Sequence, residues 1–260
     1  MNENAFDPNA AAKPGSGIFG LPFTEEESKV VVLPIPFEAT VSYHHGTSMA
    51  PAAILAASQQ VDLYDIRLGE VWRAGIFMPG IPDWMLQKSQ YVQSLVPTIL
   101  ELLEATGADE DKRLRFLRDV LRECIDLQDL MCQVVWGYLD RGKTVFTLGG
   151  DHSTAFPAIK AHVQRYPEMG VLQIDAHCDL RESYEGLEFS HASVFWNVMQ
   201  MTKLAKLVQV GIRDFGKDEY DVVMGSEGRI ETFFWDNLSR YCLEETLSWA
   251  RICDRIATSL

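Results

Sequence analysis

The chain has 260 residues, 47% of them hydrophobic, 10% aromatic and 23% charged, which suits a globular protein with a sizeable core and excludes a low-complexity or fibrous one. Its net charge of −14 argues against nucleic acid as a partner, because phosphate binding needs a basic face; it suits a small cationic ligand and serves solubility equally well. Five cysteines, an odd number with no C-x-x-C pair, make no disulfide framework, so a reducing, cytoplasmic setting is expected.

Residues 1–28 read as an irregular N-terminal arm without the charged start and apolar centre of a secretory leader, and residues 29–260 as one α/β domain. No apolar run approaches the ~20 residues of a membrane helix, so no membrane association is expected. Apolar, β-branched runs at 29–35, 73–78, 144–149, 170–176, 206–212 and 229–235 predict strands. They are near-continuous rather than alternating, the pattern of a parallel sheet covered on both faces. Helices are expected at 50–63, where Pro51 suits the first turn, and at 84–105, 112–140, 153–166 and 190–203. The segment 112–140 carries Leu114, Leu117, Leu121, Ile125, Met131, Val135 and Tyr138 close to a 3.6-residue period. Alternating strands and helices give a three-layer α-β-α fold around a parallel sheet.

In such sheets, binding sites form where the carboxyl ends of strands meet. The run at 144–148 leads into Gly149-Gly150-Asp151-His152-Ser153, and the run at 170–174 into Asp175-Ala176-His177-Cys178-Asp179. On an extended segment, Asp175, His177 and Asp179 would share one face, with Ala176 and Cys178 on the other. The two glycines would let the backbone turn and bring His152 to the same end of the sheet. Ionisable groups packed beside an apolar strand are costly unless a cation or a hydrogen-bonded network compensates them. The set therefore reads as metal ligands or as a structural ionic network. Carboxylate and imidazole donors without thiolate favour Mn²⁺ or another borderline divalent ion over structural zinc.

"GGDHS" followed by "DAHCD" resembles the first two metal motifs of the ureohydrolase family, which includes arginase, agmatinase and related guanidino-group hydrolases. "PIPFEATVSYHHGTSMAPAAILAAS" (34–58), "DLRESYEGLEFSHASVF" (179–195) and "VQVGIRD" (208–214) are also similar to agmatinase. The resemblance implies an arginase/deacetylase-like α/β fold and manganese-dependent hydrolysis of an agmatine-like guanidino compound to urea and an amine. It implies two Mn²⁺ ions, with His152, Asp175 and Asp179 on one, Asp175 bridging, and His177 on the second. His191, in "FSHAS", matches the family's catalytic histidine, to which proton transfer is assigned. His44, His45 and His162 match no ligand position. Arginases hold the substrate's α-carboxylate on a polar loop after the aspartate–histidine motif. Here that loop carries Glu185 and Glu188, which would repel a carboxylate, so a cationic guanidino substrate lacking one is expected. The family's usual assembly implies a homo-oligomer.

The family's third motif, S-F-D-x-D-x-x-D-P, is absent, and "WARICDRIATSL" resembles the helix that precedes it. The resemblance therefore implies a domain that lacks the family's final, interior strands and some of its ligands, so that a single ion and an inactive chain are also open. The alternatives are a non-catalytic relative that binds a metal or a protein partner and, ranked lowest, the single-zinc deacetylase branch of the same fold.

Overall fold

Val31, Leu33 and Ile35 alternate along the first strand and are buried against two long helices, an arrangement that seeds the amino-terminal half of the fold. The structure, a computed structural model, describes residues 6–13, 15–107, 109–243 and 247–260. Residues 1–5 and 14 of the expected arm, and residue 108 of the charged connector, lie outside the described residues. Within the arm, Ile18–Gly20 forms a 3-10 turn, and Ile18 and Leu21 are buried.

The strands are β1 (Val30–Ile35), β2 (Ile76–Phe77), β3 (Thr144–Gly149), β4 (Gly170–Ile174), β5 (Lys206–Ile212) and β6 (Ile230–Phe234). All pair in parallel, in the orders β2-β1-β3 and β4-β5-β6. The helices are α1 (Ala50–Ala57), α2 (Asp83–Glu104), α3 (Glu110–Asp140), α4 (Phe156–Arg165), α5 (Val194–Met199), α6 (Lys217–Met224), α7 (Trp235–Leu243) and α8 (Trp249–Ser259). The expected helix at 50–63 stops at Ala57 and ends in a 3-10 turn at Ser58–Gln60. That at 190–203 shortens to α5, preceded by a 3-10 turn at His191–Ser193. The strand expected at 73–78 keeps two residues, because Val71–Ala74 forms a 3-10 turn and Gly75 then takes a positive φ of 73°.

On α3 the buried row runs Val120, Cys124, Leu127, Met131, Val135 and Tyr138, whereas Leu114 and Ile125 are exposed. The 3.6 period is as expected, and Ile125 falls one residue off the row that meets β1. In the second sheet, α4 and α5 cover one face of β5 through Leu207 and Ile212. Val208 and Val210 meet Leu238 of α7 and Ile252 and Ile256 of α8 on the other face. These are the helix layers of an α-β-α fold.

The expectation of strands covered on both faces fails at two places. Phe146 on β3 is 58% exposed and Ile174 on β4 is 79% exposed. Among the described residues, β3 pairs only with β1, and β4 only with β5. Each therefore presents one edge whose backbone groups have no ladder partner among the described residues, and Phe146 and Ile174 sit on these edge strands.

Candidate metal centre

β3 and β4 both deliver their carboxyl ends to the same place. After β3 the backbone of Gly150-Asp151 continues alongside the end of β1: the Asp151 N–H donates to the Phe37 carbonyl at 3.1 Å. A Cβ on Gly150 would stand 1.8 Å from that carbonyl oxygen, and one on Gly149 would run into the Thr154 side chain. Neither glycine is among the residues of positive φ. The sequence reading assigned them to a sharp turn; their actual reason is close approach of two backbones.

Asp151 is not part of the cluster formed by His152, Asp175 and Asp179. Its buried carboxylate takes N–H donors from Ala39 (2.7 Å) and Thr40 (3.2 Å) on one oxygen and from Ser153 (2.9 Å) on the other. Burial raises its pKa, opposed by these bonds. The carboxylate thereby ties the segment after β1 to the turn that carries His152.

His152 Nδ1 lies 2.6 Å from Asp179 Oδ2 and 3.2 Å from Asp175 Oδ2. His152, Asp175 and Asp179 each present one donor atom, and these atoms lie within 4.8 Å of one another. Burial opposes the charged imidazole, but hydrogen bonds to the two carboxylates outweigh it and push the His152 pKa up to about 9. For Asp175, burial is outweighed by bonds from His152, the His177 N–H and Gln173, and its carboxyl is held well below the usual range. A proton on His152 thus does the compensating that a cation could do. One nitrogen and two carboxylates in this compass fit a borderline divalent ion.

The three carboxylate and imidazole groups of the second motif do not share one extended face, because β4 ends at Ile174 and the chain then bends. Asp179 adopts φ 52°, which is strained for a residue with a Cβ, and its carbonyl accepts from the Phe195 and Trp196 N–H groups. This bend brings Asp179 back to Asp175 and turns His177 outward. The His177 side chain is 58% exposed, with Nδ1 3.7 Å from Asp175 Oδ1 and Nε2 3.7 Å from Asp214 Oδ2. It stands beside the three-residue cluster, outside its 4.8 Å compass. Cys178 is buried and its thiol is pushed up to about 12, chiefly by burial and then by Glu219 and Asp179, so it offers no thiolate.

His191 is held from both sides by the segment after β1. Its Nδ1 lies 2.8 Å from Thr40 Oγ1, and its Nε2 2.8 Å from Ser42 Oγ. Its backbone N–H donates to Thr40 Oγ1 at 3.1 Å, and Tyr184 packs edge-on against its ring. Sequence reasoning singled out His191 and missed both hydroxyls. It also missed Glu38, wholly buried, whose carboxylate accepts from Gly46 N–H (2.9 Å), Thr47 Oγ1 (2.7 Å) and Ser48 N–H (3.1 Å) and lies 2.6 Å from His45 Nδ1. Burial raises the Glu38 pKa, but these bonds outweigh it and leave the carboxyl lowered. The segment 38–48 is thus closed into a loop by Glu38 and fastened by Asp151 to the turn that carries His152. The His44 ring packs at a tilt against Tyr43, and His162 Nδ1 meets the Ala158 carbonyl. None of His44, His45 and His162 belongs to the cluster.

Residues 28–258 match the family model described as the Arginase family. The chain is 32% identical over 194 residues to an N(1)-aminopropylagmatine ureohydrolase of Thermus thermophilus, covering 74% of this chain and 54% of that protein. It is 30% identical over 197 residues to the agmatinase of Bacillus anthracis, covering 75% and 56%. Among solved structures, a hypothetical agmatinase from Burkholderia thailandensis superposes with a TM-score of 0.64 at 18% identity, covering 97% of this chain and 66% of that one. The agmatine ureohydrolase of Thermoplasma volcanium does so at 0.61 and 23%, covering 84% and 61%. At these identities the superpositions establish the fold alone. The chain spans about half the length of the curated relatives it matches. By the extent of the family match and the identity to these relatives, this chain belongs to the arginase family.

Proposed function

We propose that the chain carries the metal-ligand and proton-transfer half of a ureohydrolase site, which hydrolyses an amine-tailed guanidino compound of the agmatine class to urea and an amine. The observation that carries this reading is the convergence of His152, Asp175 and Asp179 at one sheet end, with His191 tethered through Thr40 and Asp151 to the same turn. These residues would hold Mn²⁺, with His177 placed to reach a second ion beside Asp175. Divalent metal ions supply an activated water nucleophile at neutral pH.

In the overall step, water oxygen bonds to the guanidinium carbon, the bond from that carbon to the substituted nitrogen breaks, and the nitrogen leaves as an amine after gaining a proton. His191 is built to move that proton. Both ring nitrogens face hydroxyls, and a hydroxyl can donate or accept, so either tautomer and the charged ring keep their partners. Glu38 holds the loop that presents the two hydroxyls.

The substrate's tail is read from charge. Glu188 and Arg118 both border a cavity of about 190 Å³ lined by Thr40, Leu117, Leu121 and Phe189. The apolar wall suits an alkyl chain, but with Arg118 beside Glu188 the cavity itself does not discriminate by charge. The preference for a tail without a carboxylate rests on Glu185 and Glu188 of the loop that follows the aspartate–histidine motif. Urea release from agmatine in preference to arginine, with Mn²⁺ present, is the expected result; faster release from arginine would overturn the substrate reading.

A second reading rests on a specific observation: only three ligands converge among the described residues. A non-catalytic relative would bind one ion per chain and release no urea, so stoichiometry and urea assays together separate the two.

A further inference from the structure

β4, β5 and β6 each carry one uncharged polar residue, all three at the same level of the sheet; the charged Lys206 and Glu231 lie at the amino ends of β5 and β6 and pair with each other. Gln173 is paired in register with Gln209, and Gln209 with Thr232. Gln173 and Gln209 are buried, at 3% and 0% exposure. Burying an amide is unfavourable unless its donors and acceptors are all engaged. Here they are, and in one direction. The Thr232 hydroxyl donates to Gln209 Oε1 at 2.8 Å. Gln209 Nε2 donates to Gln173 Oε1 at 2.6 Å and to the Cys178 carbonyl at 2.8 Å. Gln173 Nε2 donates to Asp175 Oδ2 at 3.1 Å and to the His177 carbonyl at 3.0 Å.

The direction of the chain fixes each amide. Thr232 is its far end, two strands from the ligands, and at the near end the Asp175 carboxylate and the His177 and Cys178 carbonyls can only accept, so both amide NH2 groups must face them. Gln173 Oε1 is then left to accept from Gln209 Nε2, and Gln209 Oε1 needs a donor, which the Thr232 hydroxyl supplies. The Cys178 and His177 carbonyls bond to the same ladder, so it also pins the backbone of the bent segment 175–179. Groups that hydrogen-bond metal ligands orient them and tune affinity.

We propose that Thr232, Gln209 and Gln173 form a positioning ladder that presets Asp175 and the 175–179 bend for a divalent cation. This rests on the reading of His152, Asp175 and Asp179 as a metal site. Thr232 touches no ligand, so any effect of it on the metal travels through the two glutamines.

The test compares the full chain with Thr232→Val, which keeps the shape and deletes the hydroxyl, and Thr232→Ser, which restores the donor. Mn²⁺ affinity is measured by calorimetric titration, the melting temperature without metal by scanning calorimetry, and exchange of the Gln173 side-chain amide protons by NMR. Partners of metal ligands typically change affinity by about 10–100-fold, so Thr232→Val, two steps removed, should weaken Mn²⁺ roughly 3–10-fold. It should also speed Gln173 amide exchange, and Thr232→Ser should restore both. Equal affinity in Thr232→Val and the parent, with unchanged exchange, would overturn the ladder. So would a loss in Thr232→Ser as large as in Thr232→Val, since packing rather than the hydroxyl would then be responsible. A parent that binds no Mn²⁺ overturns the metal reading and this inference with it; the exchange result still reports whether the ladder exists as a hydrogen-bonded unit.

Discussion

The Thr40 hydroxyl lies 2.8 Å from Nδ1 of His191 and also accepts that residue's backbone N–H at 3.1 Å. One side chain thus fixes both the position of the histidine and the orientation of its ring. Thr40→Val keeps the volume and removes both bonds. General acid–base contributions are about 10²–10⁴-fold, and a misplaced rather than deleted histidine should forfeit a part of that, roughly 10–100-fold in urea release from agmatine. Mn²⁺ binding should be unchanged, because Thr40 is not a ligand. Steady-state assays alongside metal titration check this, with Thr40→Ser expected to retain most of the activity.

Glu38 gives a prediction about acid. Its carboxyl, ordinarily near 4.5, is lowered in the folded chain. A lowered folded-state pKa means that the carboxylate adds stability above the unfolded value, and that this contribution is lost as pH falls through the lower folded value. Glu38→Gln, which keeps an oxygen for Gly46, Thr47 and Ser48 but cannot ionise, should therefore flatten the fall in melting temperature below about pH 4.5. Glu38→Ala removes the buried acceptor that closes the loop and leaves Gly46, Thr47 and Ser48 to water, and should cost roughly 1–3 kcal/mol at pH 7. An acid limb identical in Glu38→Gln and the parent would count against this account.

Gly150→Ala should destabilise the fold through sterics alone. Its Cβ would fall 1.8 Å from the Phe37 carbonyl oxygen, which is backbone and has no rotamer to yield. Overpacking typically costs about 1–3 kcal/mol, and a backbone collision belongs at or above the upper end, about 3 kcal/mol or more. Gly142→Ala is the control for added volume: no atom lies within 4 Å of its Cβ, although its φ of 72° carries a strain of its own. Urea denaturation of the two variants should rank Gly150→Ala as the more damaging.

What the sequence revealed follows from how local each signal is. "GGDHS" and "DAHCD" stand out because charged groups directly follow apolar runs, and a buried charge demands a reason. Most strand and helix positions were legible from the period of their apolar residues. Thr40 and Ser42 were not, since their partner His191 is 151 and 149 residues away and isolated hydroxyls carry no pattern. The outward turn of His177 was hidden because alternation presumes an extended chain, and the positive φ of Asp179 is set by tertiary bonds. α6 and α7, of eight and nine residues, were not legible because so short a window shows little helical period; α1 and α5, no longer than these, were legible only as parts of overlong helices at 50–63 and 190–203. The glutamine ladder did leave a trace: "VLQI" and "LVQV" each place one amide inside an apolar run, which asks for a buried partner. Only the register of β4 on β5 shows that they answer each other.

The most direct test of the metal centre is equilibrium dialysis against Mn²⁺ of the parent chain and of Asp175→Ala, His152→Ala and His177→Ala. Asp175 and His152 lie inside the cluster whose donors fall within 4.8 Å, while His177 is 58% exposed at its rim. The account predicts at least one Mn²⁺ per parent chain, near-complete loss in Asp175→Ala and His152→Ala, and a smaller loss in His177→Ala. No saturable Mn²⁺ binding by the parent, or binding by Asp175→Ala as tight as the parent's, would contradict it.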